Sequence, residues 1–270
     1  MGTNFNAPRY EEYFIYSMDY LNLTTATTID FQNSTVRMSP DAAFKIYATT
    51  YMATDARLSG KIKDYDKGLF FQDNASDLRN IAGHPLLPLG STTMSPNNGE
   101  FLPYMWGAPY LLKPSATLSM EVANTSSIAN VARISFHGAK VLEGSAPWEK
   151  SYKSRVPFTI NVAFGAIAAN GTSPGVVSVG HEGDFLIQTI SANRTGQATV
   201  FITESTRGRD WMDKAVHLDN FAGPGYAPNT LLQKSHRFLL GGSALNIVIT
   251  NLESVANTVS MSFSGYKLYK

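Results

Sequence analysis

Apolar and polar side chains alternate with period two along much of this chain, and no stretch sustains a helical period. The alternation is clearest near the end. Leu245, Ile247 and Ile249 alternate with Asn246, Val248 and Thr250, and Val259, Met261 and Phe263 alternate with Ser260, Ser262 and Ser264. Period two is the mark of a strand with one face on a core. The polar run Asn251–Asn257 between them has turn composition. The same arrangement stands earlier, with Leu118, Met120 and Val122, then Ala132, Ile134 and Phe136. Residues 109–142 and 236–269 align without a gap at an offset of 127, with matches that include Leu118/Leu245, Asn124/Asn251, Asn130/Asn257, Phe136/Phe263, Gly138/Gly265 and Lys140/Lys267. A repeat near half the chain length means two copies of one domain. A glycine at a fixed distance after the phenylalanine predicts a bulge or a close backbone approach in both copies.

Further strands are predicted at residues 13–20, 27–31, 43–50 and 68–72 of the first half, with turns at Asn33-Ser34 and Ser39-Pro40-Asp41 and a short helix at residues 73–79. In the second half they fall at residues 156–164, 176–179, 184–191, 199–204 and 215–218, with 156–164 corresponding to 14–20. About eight short strands per half, punctuated by Gly, Pro and Asn, indicate a sandwich, and the eight-strand jelly roll is the form that protects its edges. The expected fold is all-β: two tandem jelly-roll-like β-sandwich domains related by internal duplication. Residues 1–12 read as an N-terminal arm, 13–143 as the first domain and 144–270 as the second, with linker composition at residues 143–150. Asn80-Ile81-Ala82-Gly83 echoes Asn220-Phe221-Ala222-Gly223 at an offset of 140, so the first half carries an insertion of 13 residues, placed at about 88–101.

Composition narrows the function. A net charge of +1 gives no field that favours nucleic acid or an anionic membrane. No apolar run is long enough for a membrane helix, and the first residues show no signal-peptide pattern. The chain has no cysteine, which excludes disulfides, thiolate metal sites and cysteine nucleophiles. Charged residues are 16%, and Asn, Ser, Thr and Gly take their place, as suits a surface that lies against other proteins.

No catalytic, cofactor-binding or metal site is legible. The five histidines, His84, His137, His181, His217 and His236, lack metal-ligand spacing. His217 and Asp219 stand two apart and read as a surface hydrogen bond, while His137, which faces Ser264 in the other copy, lies outside the common framework. Asp64-Tyr65-Asp66 is too poor in ligands for calcium and reads as a solvated turn. Gly241-Gly242 precedes no helix, so it cradles no phosphate. Trp106, Trp148 and Trp211 suit sugar stacking or protein interfaces, and their unmatched positions in the two halves favour interface or core. The Asn-x-Ser/Thr triplets at Asn33, Asn170 and Asn193 read as chance in a Ser/Thr-rich chain.

The repeated segment resembles a type of tailed-bacteriophage virion structural protein. Pro109, Leu112, Pro114, Thr117, Leu118, Met120, Val122 and Asn124, closing on Gly138-Ala139-Lys140-Val141, carry the likeness in the first copy. Leu239, Leu245, Ile247, Ile249 and Asn251, closing on Gly265-Tyr266-Lys267-Leu268-Tyr269, carry it in the second. The resemblance implies a non-enzymatic jelly-roll protein of the virion, made in the host cytoplasm, without cofactors. Within that class the expectation is a capsid decoration or cement protein. Its partners would be itself, as a homo-oligomer with a trimer favoured, and the major capsid protein, with no nucleic acid and no membrane. A double jelly-roll major capsid protein, or a head-tail collar or tail component, is the alternative. A carbohydrate-binding adhesion module is the alternative of a different class, and hydrolysis lacks any constellation to support it. The arm at residues 1–12 and the loop at residues 90–100 are the expected contact elements.

Overall fold

The structure, a computed structural model, describes residues 8–25, 30–83, 103–149, 152–225 and 227–270. In the first half these form β1 (Arg9–Leu23), β2 (Gln32–Arg37), β3 (Ala43–Ala53), β4 (Leu58–Asp64), β5 (Leu69–Phe70), β6 (Ser76–Asp77), β7 (Tyr104–Leu112), β8 (Thr117–Asn124) and β9 (Asn130–Glu143). The second half supplies β10 (Ser154–Ile167), β11 (Thr172–Ser178), β12 (Asp184–Arg194), β13 (Ala198–Glu204), β14 (Arg209–Asp210), β15 (Val216–His217), β16 (Arg237–Leu239), β17 (Ala244–Asn251) and β18 (Asn257–Tyr269).

Each half is a sandwich of two sheets. The first has the orders β1-β9-β3-β7 and β2-β8-β4-β5, with β6 beside β4; the second has β10-β18-β12-β16 and β11-β17-β13-β14, with β15 beside β13. With the short β6 and β15 set aside, both halves have the strand order 1-8-3-6 facing 2-7-4-5. That is the double Greek key of an eight-strand jelly roll. The fold is therefore two tandem jelly rolls, and the duplication extends to topology.

The period-two pattern builds each core. Phe14, Tyr16, Met18 and Tyr20 of β1 and Ile134 and Phe136 of β9 point inward against Leu118, Met120 and Val122 of β8, all of them buried. Burying such a side chain contributes roughly 1.5–3 kcal/mol. Repeated polar residues recur because they do the same local work twice. Asn124 donates to the Ile128 carbonyl (2.7 Å) and accepts from the Ser126 amide (3.0 Å). Asn251 donates to Val255 (2.7 Å) and accepts from Glu253 (3.0 Å). The repeated glycines lie opposite bulges in β3 and β12. A Cβ on Gly138 would strike the Lys45 carbonyl, and one on Gly265 the Leu186 carbonyl.

Some elements differ from the sequence reading. β2 runs through Asn33-Ser34, which read as a turn, and residues 27–29 of the expected 27–31 strand lie outside the described residues. β2 is an edge strand with only Val36 buried, so it carries little apolar signal. The expected helix at residues 73–79 is reduced to a 3-10 turn at Leu78–Asn80, and the expected 68–72 strand to Leu69–Phe70. β1 begins at Arg9, so Arg9–Glu12, read as arm, pairs with residues 140–143 of β9. Residues 1–7 and the insertion at 88–101 lie outside the described residues.

Candidate functional site: the seam between the jelly rolls

The outer face and free edge of β1 carry the docking of the second jelly roll. β1 is the edge strand of its sheet, where β9 is its one neighbour. Its inward residues are even-numbered, so Tyr13, Ile15 and Ser17 face outward, yet all three are buried. The segment after β14 covers them by pairing in parallel with the edge. Ile15 N donates to the Trp211 carbonyl (3.1 Å) and Asp213 N to the Ile15 carbonyl (3.0 Å). Ser17 N donates to the Asp213 carboxylate (3.0 Å). Tyr13 and Ile15 join the apolar cluster of the second jelly roll. The second core is thereby continuous with the outer face of the first.

A hydrogen-bond chain crosses the seam. Asn229 Nδ2 donates to the Tyr13 hydroxyl (3.0 Å), which is bonded to His137 Nδ1 (2.7 Å). His137 Nε2 is bonded to the Thr50 hydroxyl (2.8 Å), which donates to the Asn220 carbonyl (3.4 Å). One direction satisfies every link: Tyr13 donates to Nδ1, and Nε2–H donates to Thr50. That order requires a neutral imidazole. Complete burial pushes the His137 pKa down to about 3. Asn220 Nδ2 also donates to the Arg133 carbonyl (2.9 Å).

Beside this chain lies an ionic cluster. Arg237, fully buried, donates from Nε to the Tyr13 carbonyl (2.8 Å) and stacks on Trp211, with its guanidinium carbon 4.9 Å from the ring centre. Glu12 reaches Arg209 (3.1 Å), Arg237 (3.6 Å) and Arg207 (3.7 Å), and Arg207 pairs with buried Glu204 (2.7 Å). Burial pulls the Arg237 pKa down from its usual value, against the pull of Glu12 and Glu204. A groove of about 380 Å³ opens along the rim, lined in part by Glu12, Arg37, Asp41, Lys140, Arg209 and Asp213. Asp213 keeps an exposed flank, but withdrawal of its carboxyl from water pushes its pKa up to about 7, against Lys214 and the amides that donate to it.

This arrangement holds surfaces together. Among the described residues no group of three His, Asp or Glu side chains could hold a metal. His217 and Asp219, read as a surface pair, are buried: His217 accepts from the Asp219 amide (3.3 Å) and Asp219 pairs with Arg194. Asp64, read as solvated, is buried and bound by the Tyr110 hydroxyl (2.8 Å) and Lys67 (3.2 Å). Trp211 is 0% exposed and offers no face to a sugar. Trp148 packs against Tyr10 and His236, and Trp106 donates to the Thr49 hydroxyl (2.8 Å). The sequence reading missed Glu12, Asp213, Asn229 and Arg237. The available signal was divergence between copies, since Arg237 stands where the first copy has Tyr110.

No family model and no curated protein matches the chain. Among solved structures, the major capsid protein P2 of bacteriophage PM2 is 11% identical with a TM-score of 0.30, over 94% of this chain and 98% of that one. The STIV MCP is 11% identical with a TM-score of 0.26, over 93% and 96%. The PBSX exported protein XepA is 9% identical with a TM-score of 0.19, over 96% and 85%. None of these likenesses assigns a role to this chain.

Proposed function

We propose that this chain is a non-enzymatic virion structural protein, and that its two jelly rolls form one block of a capsid shell. The observation that carries the reading is the seam. Tyr13, Ile15, Trp211 and Arg237 are buried where the two jelly rolls meet, so the chain presents a fused pair of jelly rolls to its neighbours. Its specialised chemistry joins surfaces; His84 lies outside the described residues, and the described residues read as candidates are engaged in packing and local hydrogen bonds. Two jelly rolls per chain and three chains per ring would give a six-lobed block, which tiles a closed shell. The domain boundary is placed at residues 143–150. Symmetric self-association is the ordinary route to such a block.

The test is whether the chain forms the shell or binds to one. Deleting its gene product from the virus is expected to abolish closed particles, seen by electron microscopy of infected cells. Closed shells of normal diameter without it would overturn the shell role. They would favour the second reading, a decoration or cement protein bound to the major capsid protein, which the resemblance of the repeated segment supports. That reading requires purified chain to bind such shells and raise their heat resistance. Binding to a glycan array that is lost on Trp106→Ala would instead move the chain to the adhesion class.

A further inference from the structure

The seam uses one edge of the first jelly roll, and among the described residues nothing pairs with the same edge of the second. β10 corresponds to β1: Phe14 pairs with Gly138 as Phe158 pairs with Gly265. Tyr13, Ile15 and Ser17 thus match Pro157, Thr159 and Asn161, and β10, like β1, has a single strand partner. The three β1 residues are buried, whereas Pro157, Thr159 and Asn161 are all exposed. An open edge offers its amides and carbonyls for pairing.

The docking segment is duplicated too. At the offset of 140, Trp211, Met212 and Asp213 match Phe71, Gln72 and Asp73, and Asn220 matches Asn80. Both copies follow a left-handed glycine, Gly68 (φ 65°) and Gly208 (φ 58°), and both lead into a 3-10 turn, Leu78–Asn80 and Leu218–Asn220. Asp213 and Asn220 bond across the seam. Their counterparts Asp73 and Asn80 are the same residue types, yet both are exposed. Beside them Leu69 and Phe70 are exposed large apolar residues. The first jelly roll thus keeps a docking segment, and the second keeps an edge, that no contact among the described residues joins.

We infer that the Phe71–Asp73 segment of one chain pairs in parallel with the β10 edge of a second copy, repeating between chains the seam found within each. Thr159 N would donate to the Phe71 carbonyl, Asp73 N to the Thr159 carbonyl, and Asn161 N to the Asp73 carboxylate. Asn80 would donate to the Ser260 carbonyl, the counterpart of Arg133. The contact is head-to-tail, so it closes into a ring or runs on as a filament. The hydroxyl and amide character of the β10 face, with Thr159 bonded to Ser264 (2.9 Å), fits an interface reached through water, unlike the apolar Tyr13–Ile15 face. The inference stands on the internal repeat and does not need the virion reading.

Because the chain lacks cysteine, engineered disulfides test it directly. Gln72→Cys combined with Thr159→Cys is expected to give, on mild oxidation of the purified full chain, a ladder of cross-linked chains on a non-reducing gel. Either substitution alone should give no ladder. The double substitution Asp73→Lys, Asn80→Lys lies at exposed positions, and is expected to reduce the native mass to one chain while leaving the far-ultraviolet spectrum unchanged. A double-cysteine variant that cross-links no better than the single ones would overturn the inference. So would a wild-type chain that is monomeric at its highest soluble concentration, or a lysine variant that keeps the wild-type mass. Failure of these tests leaves particle formation as a separate measurement, and absence from particles leaves these tests valid.

Discussion

Arg237 shows how one position in a duplicated fold acquires a private duty. Its counterpart Tyr110 donates to Asp64 and lies against Phe71, with ring centres 4.7 Å apart. In the second copy a guanidinium lies against Trp211 and reaches Glu12 of the other jelly roll. Removing one member of a buried ionic group leaves its partners uncompensated, so Arg237→Ala is expected to cost about 3–5 kcal/mol, read from urea unfolding. His137 makes a second prediction. Its pKa is about 3 when folded against 6.5 when free, so the unfolded chain binds the extra proton. The stability it confers is complete above about pH 6.5 and is lost as pH falls toward 3, at up to about 1.4 kcal/mol per unit. Urea midpoints for wild type and His137→Gln should therefore diverge at neutral pH and converge in acid. Divergence that stays constant with pH would contradict the neutral-imidazole chain. Neither residue's duty was legible in the sequence. Periodicity reports which face a side chain takes and not what covers that face, and Tyr13 and Ile15 lie on the outward face of β1 that the second jelly roll buries.

At the scale of elements, strands with one wet face were legible, and those without an apolar stripe were not. β17 and β18 alternate cleanly because one face packs on the core and the other is more open, while β8 and β9 keep the apolar inner stripe with much of the outer face buried as well. β2 escaped because an edge strand with one buried side chain carries almost no apolar signal. The short helix was expected over residues 73–79, but only a 3-10 turn forms at Leu78–Asn80, capped by the Asp77 carboxylate on the Arg79 amide (2.9 Å). The glycine signal did carry physical content. Gly138→Ala and Gly265→Ala each push a methyl onto a neighbouring carbonyl, and each is expected to cost about 1–3 kcal/mol. Gly107→Ala, with open space around the added methyl, serves as the control and should stay within about 0.5 kcal/mol. Thermal melts of the three variants decide it, and equal losses would remove the close-approach explanation.

At the scale of the molecule, the two jelly rolls share one apolar cluster, since Tyr13, Ile15, Tyr47, Ala48 and Ala139 of the first pack into the core of the second. Calorimetry should accordingly show one unfolding transition for the wild-type chain. Ile15→Lys puts a charge into the seam while leaving the inward residues of β1 in place, and is expected to split that transition in two. Two transitions in the wild type would mean that the shared cluster adds little. The sequence foretold two copies of one fold because identical residues recur at one offset. It was silent on their fusion because the large side chains of the seam, Tyr13, Ile15, Trp211 and Arg237, stand where the copies differ.

The short passage from Glu143 to Ser154 has a consequence for the order of events during synthesis. It passes through one 3-10 turn at Pro147–Glu149, with Trp148 fixed against Tyr10 and His236. A tether this brief holds the two lobes at an effective concentration on the order of millimolar, far above what newly made chains reach in a cell. Closure within a polypeptide therefore outruns any encounter between polypeptides. Each molecule leaves the ribosome committed to its own other half, with one edge and one hook left over for the next.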